Sequence, residues 1–459
     1  MKYLVLAVLG FSLLWTTVSQ GGVYLQDAAW GLLGVGVAGC LCWGFQRGEE
    51  LNPGGRWALW LVLALVGIVL LQVVPLPAGV VGVLSPKRLA TMPGQAWLTV
   101  SQVPGKTVEN LAQLLAYLGI FLMARELVWL FRRQLWVVVG PVIAIGTLQA
   151  ALGLVQWWLQ RAEGISPMAT GSYNSRNSFA GLLEMTAPLA VWAAVWIFVK
   201  GQDGAVSRRE SPMGSGLKAS ALLSMGAAML IGTVISLSRM GFLAALSGLV
   251  ATGVMAAGGR GGRRVWPLMV VLVGGVAAFV LMPTDEWIGR FAGLAQTEDV
   301  SQDTRVQIWK ETLPAIRAYA VLGCGFGGFE SCFYEFKKVA PDATADFAHN
   351  DYLQVMLELG LVGFGVGMFL VVRVMGRLWW VGRKGLGESW YMAVGCWGAL
   401  VAVLLHSLVD FNMYFPANAM VAAWIMGCGE GLPTVAKWEI AWGRKAAEIV
   451  VDGDVVFET

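Results

Sequence analysis

The chain contains two histidines, and both lie at an end of a long apolar segment. His349 lies within residues 348–354, directly before one apolar segment, and His406 lies at the end of another. A histidine takes up a proton near neutral pH, so a histidine at such a boundary is suited to act as a general base. The adjacent Asn350 and Asp351 could orient the ring of His349. For His406, the sequence leaves open whether the ring acts as a base or only bonds a backbone carbonyl.

Carboxylate and amide side chains share predicted helix faces near these histidines. Gln354 and Glu358 follow Asp351 at positions i+3 and i+7, which places all three on one face of a helix. An earlier apolar segment repeats this pattern with Glu184, and the polar residues at its start are Asn174, Arg176 and Asn177. A carboxylate inside a membrane helix usually faces a cavity or a partner. Pairing of these carboxylates with arginines, for packing alone, is the alternative interpretation.

Two arginines are positioned where they could bind an anion. Arg239 lies in a very short connection between two apolar segments, and Arg305 lies in the longest polar segment. A guanidinium group binds phosphate oxygens in a bidentate manner. For Arg305 the alternative is a surface ion pair with Asp303 or Glu298. The glycine-rich residues 322–329 lack the strand and helix context of a dinucleotide site, so they predict a tight turn.

The elements that must position these residues have the composition of membrane helices. Of the 459 residues, 57% are hydrophobic and 13% are charged, whereas soluble domains contain about 25% charged residues. The mean hydropathy is +0.66. The net charge is only +3, and the basic residues lie in short clusters between apolar segments, which gives no support for nucleic acid as a partner.

Apolar segments close to the roughly 20 residues that cross a bilayer predict about twelve transmembrane helices. The predicted spans are 3–19, 23–45, 56–74, 107–130, 135–159, 178–199, 219–237, 240–257, 264–282, 351–372, 391–408 and 413–429. The first span could also be a signal peptide, but no small-residue cleavage site follows it, so we expect an uncleaved helix. The predicted fold class is therefore all-α, in a polytopic integral membrane protein.

The distribution of lysine and arginine predicts which loops face the cytoplasm. With the N-terminus inside, the inner short loops hold an excess of these residues, so the positive-inside rule places both termini in the cytoplasm. The predicted order is helices one to nine in 1–282, a large periplasmic loop in 283–350, helices ten to twelve in 351–429 and a cytoplasmic tail in 430–459. Segments 75–106 and 160–177 also face outward. The polar residues that could carry the chemistry are therefore predicted to lie on the outer, periplasmic face.

The six cysteines show no metal-ligand spacing, and no metal site is predicted. Cys324 and Cys332 share the large outer loop. The sequence leaves open whether these two residues form a disulfide.

Several short motifs occur in a particular order along most of the chain. They are 72–77, 84–86, 174–177, 238–241, 305–309 with the turn 323–329, and 348–354 running into 358–363. In type and order these motifs resemble those of the O-antigen ligase and O-antigen polymerase family of bacterial membrane glycan transferases.

The resemblance implies a GT-C-like helical fold and a donor in which a glycan is linked to undecaprenyl diphosphate. It also implies sugar transfer at the periplasmic face of the inner membrane, without a nucleotide sugar, a cofactor or an obligatory metal. At the matching positions, Arg239 and Arg305 would bind the diphosphate and His349 would be the catalytic base. The polar residues named above would support them, and the partners would be the lipid-linked glycan, membrane lipid and an acceptor glycan or lipid A-core.

The resemblance leaves the acceptor open. A ligase to lipid A-core, a polymerase of O-antigen or exopolysaccharide repeat units, and a protein O-oligosaccharyltransferase share these motifs. A secondary transporter for a small anion is an alternative from another class. Transporters usually show repeated halves and helices broken near mid-membrane, whereas the polar residues of this chain gather at one surface.

Overall fold

The computed structural model describes residues 1–44, 51–202, 212–258, 302–338 and 345–451. Within these ranges the protein is helical, apart from one pair of two-residue strands. The predicted ninth span, 264–282, lies outside the described residues. So do parts of the predicted periplasmic loop, 283–301 and 339–344, and the end of the tail, 452–459.

The elements follow one another from the N-terminus in a mostly helical order. The first group is α1 (Lys2–Val18), α2 (Leu25–Gly44), α3 (Trp57–Val73), β1 (Leu76–Pro77), α4 (Ala78–Leu84), α5 (Pro86–Thr91), β2 (Trp97–Leu98), α6 (Pro104–Leu130) and α7 (Trp136–Ala162). The second group is α8 (Arg176–Gln202), α9 (Pro212–Ile235), α10 (Arg239–Ala257), α11 (Gln302–Ala318), α12 (Phe329–Phe333), α13 (Asp351–Lys384), α14 (Gly387–His406) and α15 (Pro416–Val451).

Nine of the described helices are long and apolar enough to cross a membrane: α2, α6 to α10, and α13 to α15. They coincide with nine of the twelve predicted spans. Helices α1 and α3 correspond to the predicted spans 3–19 and 56–74, but each has only 17 residues. An all-helical, multi-pass membrane architecture is thereby confirmed, while a total of twelve spans stays a prediction.

Helix α8 lies at the centre of the bundle. Every residue from Ser178 to Val195 is buried, because α7, α9, α10 and α14 all pack against it. Helices α10 and α14 cross closely at two glycines, where a Cβ on Gly248 would lie 2.6 Å from the carbonyl oxygen of Gly398. Small residues allow membrane helices to approach in this way.

Helix α13 is interrupted at Gly360, whose φ of 67° is left-handed. The sequence pattern predicted a span over 351–372 and did not address a break within it. The backbone groups freed by the interruption are bonded by the residues before α12: Leu361 N–H donates to Ala320 O at 2.7 Å, and Cys324 N–H donates to Leu357 O at 2.9 Å. Non-helical backbone is tolerated in membrane helices where such partners exist.

The buried side chain of Gln72, at the end of α3, completes this junction. Its Nε2 donates to the carbonyl oxygens of Leu322 at 2.6 Å and Glu358 at 2.7 Å, and its Oε1 accepts from Phe326 N–H at 3.0 Å. A single amide therefore joins α3, the glycine-rich turn and α13. The first residue of the 72–77 motif thus has a positioning role.

The segment between α3 and α6 packs against the region around α12. Strands β1 and β2 pair antiparallel, Gln102 N–H donates to Cys324 O at 2.9 Å, and Lys106 Nζ lies 3.4 Å from a carboxylate oxygen of Glu330. Cys324 and Cys332 form a disulfide across the glycine-rich turn. This pairing answers the question that the sequence left open, and residues 322–329 form the predicted turn.

Helix α15 does not end at residue 429, the predicted boundary of the last span, but continues to Val451. The first part of the predicted cytoplasmic tail is therefore helical and continuous with the preceding span.

Candidate active site

Glu184 and His406 form a buried pair between α8 and α14. Nδ1 of His406 lies 3.1 Å and 2.9 Å from the two carboxylate oxygens of Glu184. Both side chains are fully buried. Glu184 is therefore paired with a histidine and not with an arginine. The partner of His406 Nδ1 is this carboxylate and not a backbone carbonyl.

Asp410 lies between the two histidines of the chain. One of its carboxylate oxygens is 3.9 Å from Nδ1 of His349, and the other is 3.9 Å from Nε2 of His406. Four side chains thus form a row, in the order Glu184, His406, Asp410 and His349, from the bundle interior to its surface. The sequence analysis did not select Asp410. The sequence feature that could have indicated Asp410 is its position four residues after His406. Residues with this spacing lie close together where a helix continues.

His349 adopts a left-handed backbone conformation with φ of 47°. This conformation is uncommon outside glycine, and such strained residues cluster at functional sites. Bonds on both sides hold it: Trp309 Nε1 donates to Ala348 O at 2.9 Å, and the side chain of Asn350 caps the first turn of α13. The His349 side chain is 16% exposed, so it remains within reach of a substrate.

Asp351 and Asn350 connect the His349 segment to the residues that follow α14. A carboxylate oxygen of Asp351 accepts from Ser407 Oγ at 2.7 Å, and its backbone N–H donates to Ser407 O at 2.9 Å. The side-chain amide of Asn350 donates to a backbone carbonyl in the same segment at 2.7 Å. These bonds hold the His349 segment beside the segment that carries Asp410, so the contacts of Asn350 and Asp351 are structural.

The carboxylate of Glu358 accepts four hydrogen bonds. Its donors are Gly327 N–H at 2.9 Å, Phe329 N–H at 3.3 Å, Gln354 Nε2 at 3.3 Å and Tyr414 Oη at 2.8 Å. Burial and the nearby carboxylate raise the pKa of Tyr414 well above its ordinary value, which keeps the phenol protonated as a donor. Glu358 therefore holds the glycine-rich turn against α13.

Arg305 is brought to the same cluster by α11. Its Nη1 donates to the carbonyl oxygen of Val409 at 3.1 Å, next to Asp410. Its Nε is buried and has no hydrogen-bond partner among the described residues. The sequence offered Asp303 and Glu298 as alternative partners. Glu298 and the side chain of Asp303 lie outside the described part of the structure. The structure thus joins Arg305 to the residues around Asp410.

Arg239 is the first residue of α10, directly after the N-cap residue Ser238, whose Oγ accepts from Gly241 N–H at 3.2 Å. A Cβ on Gly241 would lie 2.5 Å from the Ala180 side chain, so the start of α10 is packed against the start of α8. Arg239 therefore lies at the end of the bundle where α8 begins.

The polar residues at the start of α8 make contacts elsewhere. The amide of Asn174 donates to Gln20 Oε1 at 2.5 Å, and Nη1 of Arg176 lies 3.7 Å from the sulfur of Met168. Asn177 is half-buried in the first turn of α8. These three residues lie at the same end of α8 as Glu184 but are not brought into the row of histidines and carboxylates.

The charges around Asp410 favour its ionised form. Burial alone raises the pKa of a carboxyl group, but His349 and the charges of His406 and Arg305 hold the pKa of Asp410 below its ordinary value. Nδ1 of His349 lies 3.9 Å from Asp410, which is beyond hydrogen-bond distance, so an ionised Asp410 acts on this ring by charge attraction. Arg305, with an unused donor near Asp410, could bind an anion there.

No cluster of three or more metal-binding side chains occurs within the described ranges.

The fold and this cluster define a multi-pass helical membrane protein with a histidine and carboxylate site at one end. Residues 225–367 match the sequence model of the O-antigen ligase family. The matched region runs from α9 to α13 and contains Arg239, Arg305, His349 and Glu358. The resemblance to the O-antigen ligase and polymerase family is thereby confirmed over these residues. A search of curated proteins found no match to the chain.

Proposed function

We propose that this protein is a membrane glycan ligase of the bacterial inner membrane. It transfers a glycan from an undecaprenyl-diphosphate-linked donor to an acceptor hydroxyl, with a GT-C-like arrangement of helices and its active site at the periplasmic face. The observation that carries the proposal is the convergence of His349, Asp410 and Arg305 at one end of the bundle. Residues 225–367, which match the family model, contain His349 and Arg305.

In the proposed reaction, the acceptor hydroxyl loses its proton to Nε2 of His349 as its oxygen bonds to the anomeric carbon. The bond between this carbon and the diphosphate oxygen breaks in the same step, and the undecaprenyl diphosphate leaves with the electron pair. A one-step displacement of this kind inverts the anomeric carbon. General base catalysis contributes a factor of about 10² to 10⁴ to such reactions.

Arg305 and Arg239 would stabilise the negative charge that develops on the leaving diphosphate. Positioned cations act most strongly where charge appears in the transition state. In this scheme the arginines supply that positive charge and no metal ion is needed. The free Nε of Arg305 supports this role, because it is a buried donor beside the proposed base.

Behind Asp410, the Glu184 and His406 pair would keep the carboxylate turned toward His349. A protonated His406 between Glu184 and Asp410 balances one of the two negative charges, and buried charges persist only when they are paired. Glu184 and His406 therefore act as positioning residues that do not touch the substrate.

The decisive experiment incubates the purified protein in nanodiscs with an undecaprenyl-diphosphate-linked oligosaccharide and separate acceptors. We expect release of undecaprenyl diphosphate and a glycan joined to lipid A-core. Growth of the glycan without lipid A-core would identify a repeat-unit polymerase, which uses the same chemistry, and transfer to a serine-containing peptide would identify a protein glycosyltransferase. Absence of transfer to all acceptors, together with uptake of a small anion by proteoliposomes, would overturn the proposal.

A further inference from the structure

A cavity of about 440 Å³ lies at the opposite end of the bundle from His349. Its walls are the 53–55 connection after α2, Trp129 near the end of α6, Arg377 in α13, and Lys437 and Trp438 in α15. The volume falls within the roughly 300 to 1,000 Å³ range of small-molecule sites. The proposed glycan transfer does not use this cavity.

Cations outnumber carboxylates around the cavity. Glu430 is 1% exposed, and its carboxylate lies 3.0 Å from both Arg373 and Arg377. Glu126 is also buried and is bonded to Arg125 at 3.0 Å. Each carboxylate is thus paired with at least one arginine, although Oε2 of Glu430 accepts no hydrogen bond from the described residues. The positive charge of the remaining cations, which include Arg132 and Lys437, is not balanced by a carboxylate that contacts them among the described residues.

The side chains in and next to the cavity include buried hydrogen-bond donors that form no hydrogen bond with the described residues. Four buried nitrogen atoms have no hydrogen-bond partner within the described part of the chain: Nε of Arg125, Nε of Arg132, Nε of Arg373 and the indole Nε1 of Trp129. Trp129 lines the cavity itself. A buried donor without an acceptor destabilises the folded state. A ligand rich in acceptor oxygens would satisfy such donors.

The walls of the cavity combine these donors with apolar and aromatic surface. The guanidinium of Arg132 lies 4.6 Å from the ring centre of Trp129 and 5.8 Å from that of Trp438. Pro53 and Pro433 complete the apolar part of the lining. Tryptophan rings concentrate at the headgroup level of membranes, and basic pockets between membrane helices on the cytoplasmic side bind anionic lipid headgroups.

We propose that this cavity binds the phosphate headgroup of an anionic phospholipid from the cytoplasmic leaflet. The headgroup phosphate lies among Lys437, Arg377 and Arg132. A soluble phosphate would share the cation contacts but would leave the proline and tryptophan walls uncovered. The site is independent of the proposed glycan transfer.

The test measures retention of phosphatidylglycerol by the full-length protein, purified in detergent, with native mass spectrometry. Removal of one basic residue near a membrane surface weakens lipid binding by about fivefold, so we expect this loss for Lys437→Gln. Lys384→Gln is the matched control, because Lys384 is an exposed lysine at the same end of the bundle, outside the cavity. Lys437→Arg should retain binding, and Arg132→Gln provides a second loss variant if Lys437→Gln does not fold.

Three results would overturn the assignment. Equal loss in Lys437→Gln and Lys384→Gln would mean that the lipid is held by general surface charge. Equal retention of phosphatidylcholine, which is net neutral, would remove the requirement for an anionic headgroup. Displacement of the lipid by inorganic phosphate at equal concentration would identify a soluble anion as the ligand.

Discussion

Asp410 lies 3.9 Å from each of the two histidines, and this arrangement gives the histidines different roles. His349 is partly exposed, while His406 is fully buried against Glu184. In the proposed reaction, His349 is therefore the histidine that reaches the acceptor hydroxyl, and His406 acts through Asp410.

His349→Ala should lower the transfer rate by a factor of about 10² to 10⁴, since it removes the proton acceptor. Donor binding should persist, because the arginines that bind diphosphate remain. The rate is measured with the lipid-linked oligosaccharide, and donor binding with the same lipid without acceptor. Asp346→Asn, an exposed carboxylate three residues away, is the matched control and should behave like the wild type. A normal rate in His349→Ala would contradict the base assignment.

Asp410→Asn should change the acid stability of the protein. The pKa of Asp410 is lower in the folded state than its ordinary value, so the ionised group stabilises the fold above the unfolded-state pKa. This stabilisation is lost as the pH falls through the folded-state pKa. Thermal unfolding in detergent should therefore show a lower melting temperature for the variant near neutral pH, and a difference that shrinks in acid. A difference that is constant with pH would argue against an ionised Asp410.

Arg239→Lys should lose most of the transfer activity although it keeps the positive charge. A lysine ammonium cannot form the two parallel bonds that a guanidinium forms with phosphate oxygens. The measurement is the rate at limiting and at saturating donor, compared with Arg161→Lys, an arginine at the end of α7 that stacks on Trp157. Wild-type kinetics in Arg239→Lys would contradict a role of Arg239 in diphosphate binding and would leave it a structural role at the start of α10.

The sequence was sufficient to select His349, Arg305 and the carboxylate face of α13, because each stands out by residue type and spacing. It was not sufficient to select Asp410, because its contact with His349 joins two segments that are 61 residues apart. It also could not show which carboxylates hold neighbouring segments in place. That role depends on partners such as the backbone N–H groups of Gly327 and Phe329 on Glu358.

At the scale of elements, the interruption of α13 at Gly360 positions the site. The turn before α12 enters this interruption, and a Cβ on Gly323 would lie 2.2 Å from Glu358 O. Neither position accepts a larger residue. The helical pattern of 351–372 continues through Gly360, so hydrophobic periodicity alone could not reveal the break.

Gly360→Ala should destabilise the protein by about 1 to 3 kcal/mol. The alanine would have a left-handed φ, and its Cβ would lie 2.3 Å from Val321 O. Gly365→Ala is the matched control in the same helix, because its Cβ would meet no atom within 4 Å. Alanine is favoured over glycine inside helices by about 1 kcal/mol, so the control should be neutral or more stable. Equal melting temperatures of the two variants in detergent would contradict the importance of the break.

For the whole molecule, the two ends of the bundle differ in chemistry. One end carries His349 and the disulfide, and the other carries the basic cavity with Arg377 and Lys437. The positive-inside rule assigns the basic end to the cytoplasm. Nine of the spans that the sequence predicted are present as long apolar helices, because span length and hydropathy are local properties of the chain.

Reporter fusions should place both termini and the 200–218 loop in the cytoplasm and the 283–350 loop outside. An alkaline phosphatase fusion at Gly164, between α7 and α8, should also be active, because this connection lies at the His349 end. A fusion at Arg133, between α6 and α7, is the opposite-face control. An inactive phosphatase at Gly164 would place the candidate site in the cytoplasm and contradict the use of a periplasmic donor.

The disulfide between Cys324 and Cys332 spans the turn that Glu358 holds against α13. Disulfides form in the oxidising periplasm and are rare in the reducing cytoplasm. A chain inserted in the opposite orientation would therefore keep both thiols free and lack the crosslink beside its site. With the site in the periplasm, as proposed, thiol oxidation would couple maturation of the site to correct insertion. The redox state of this bond would then report the orientation of the chain in the membrane.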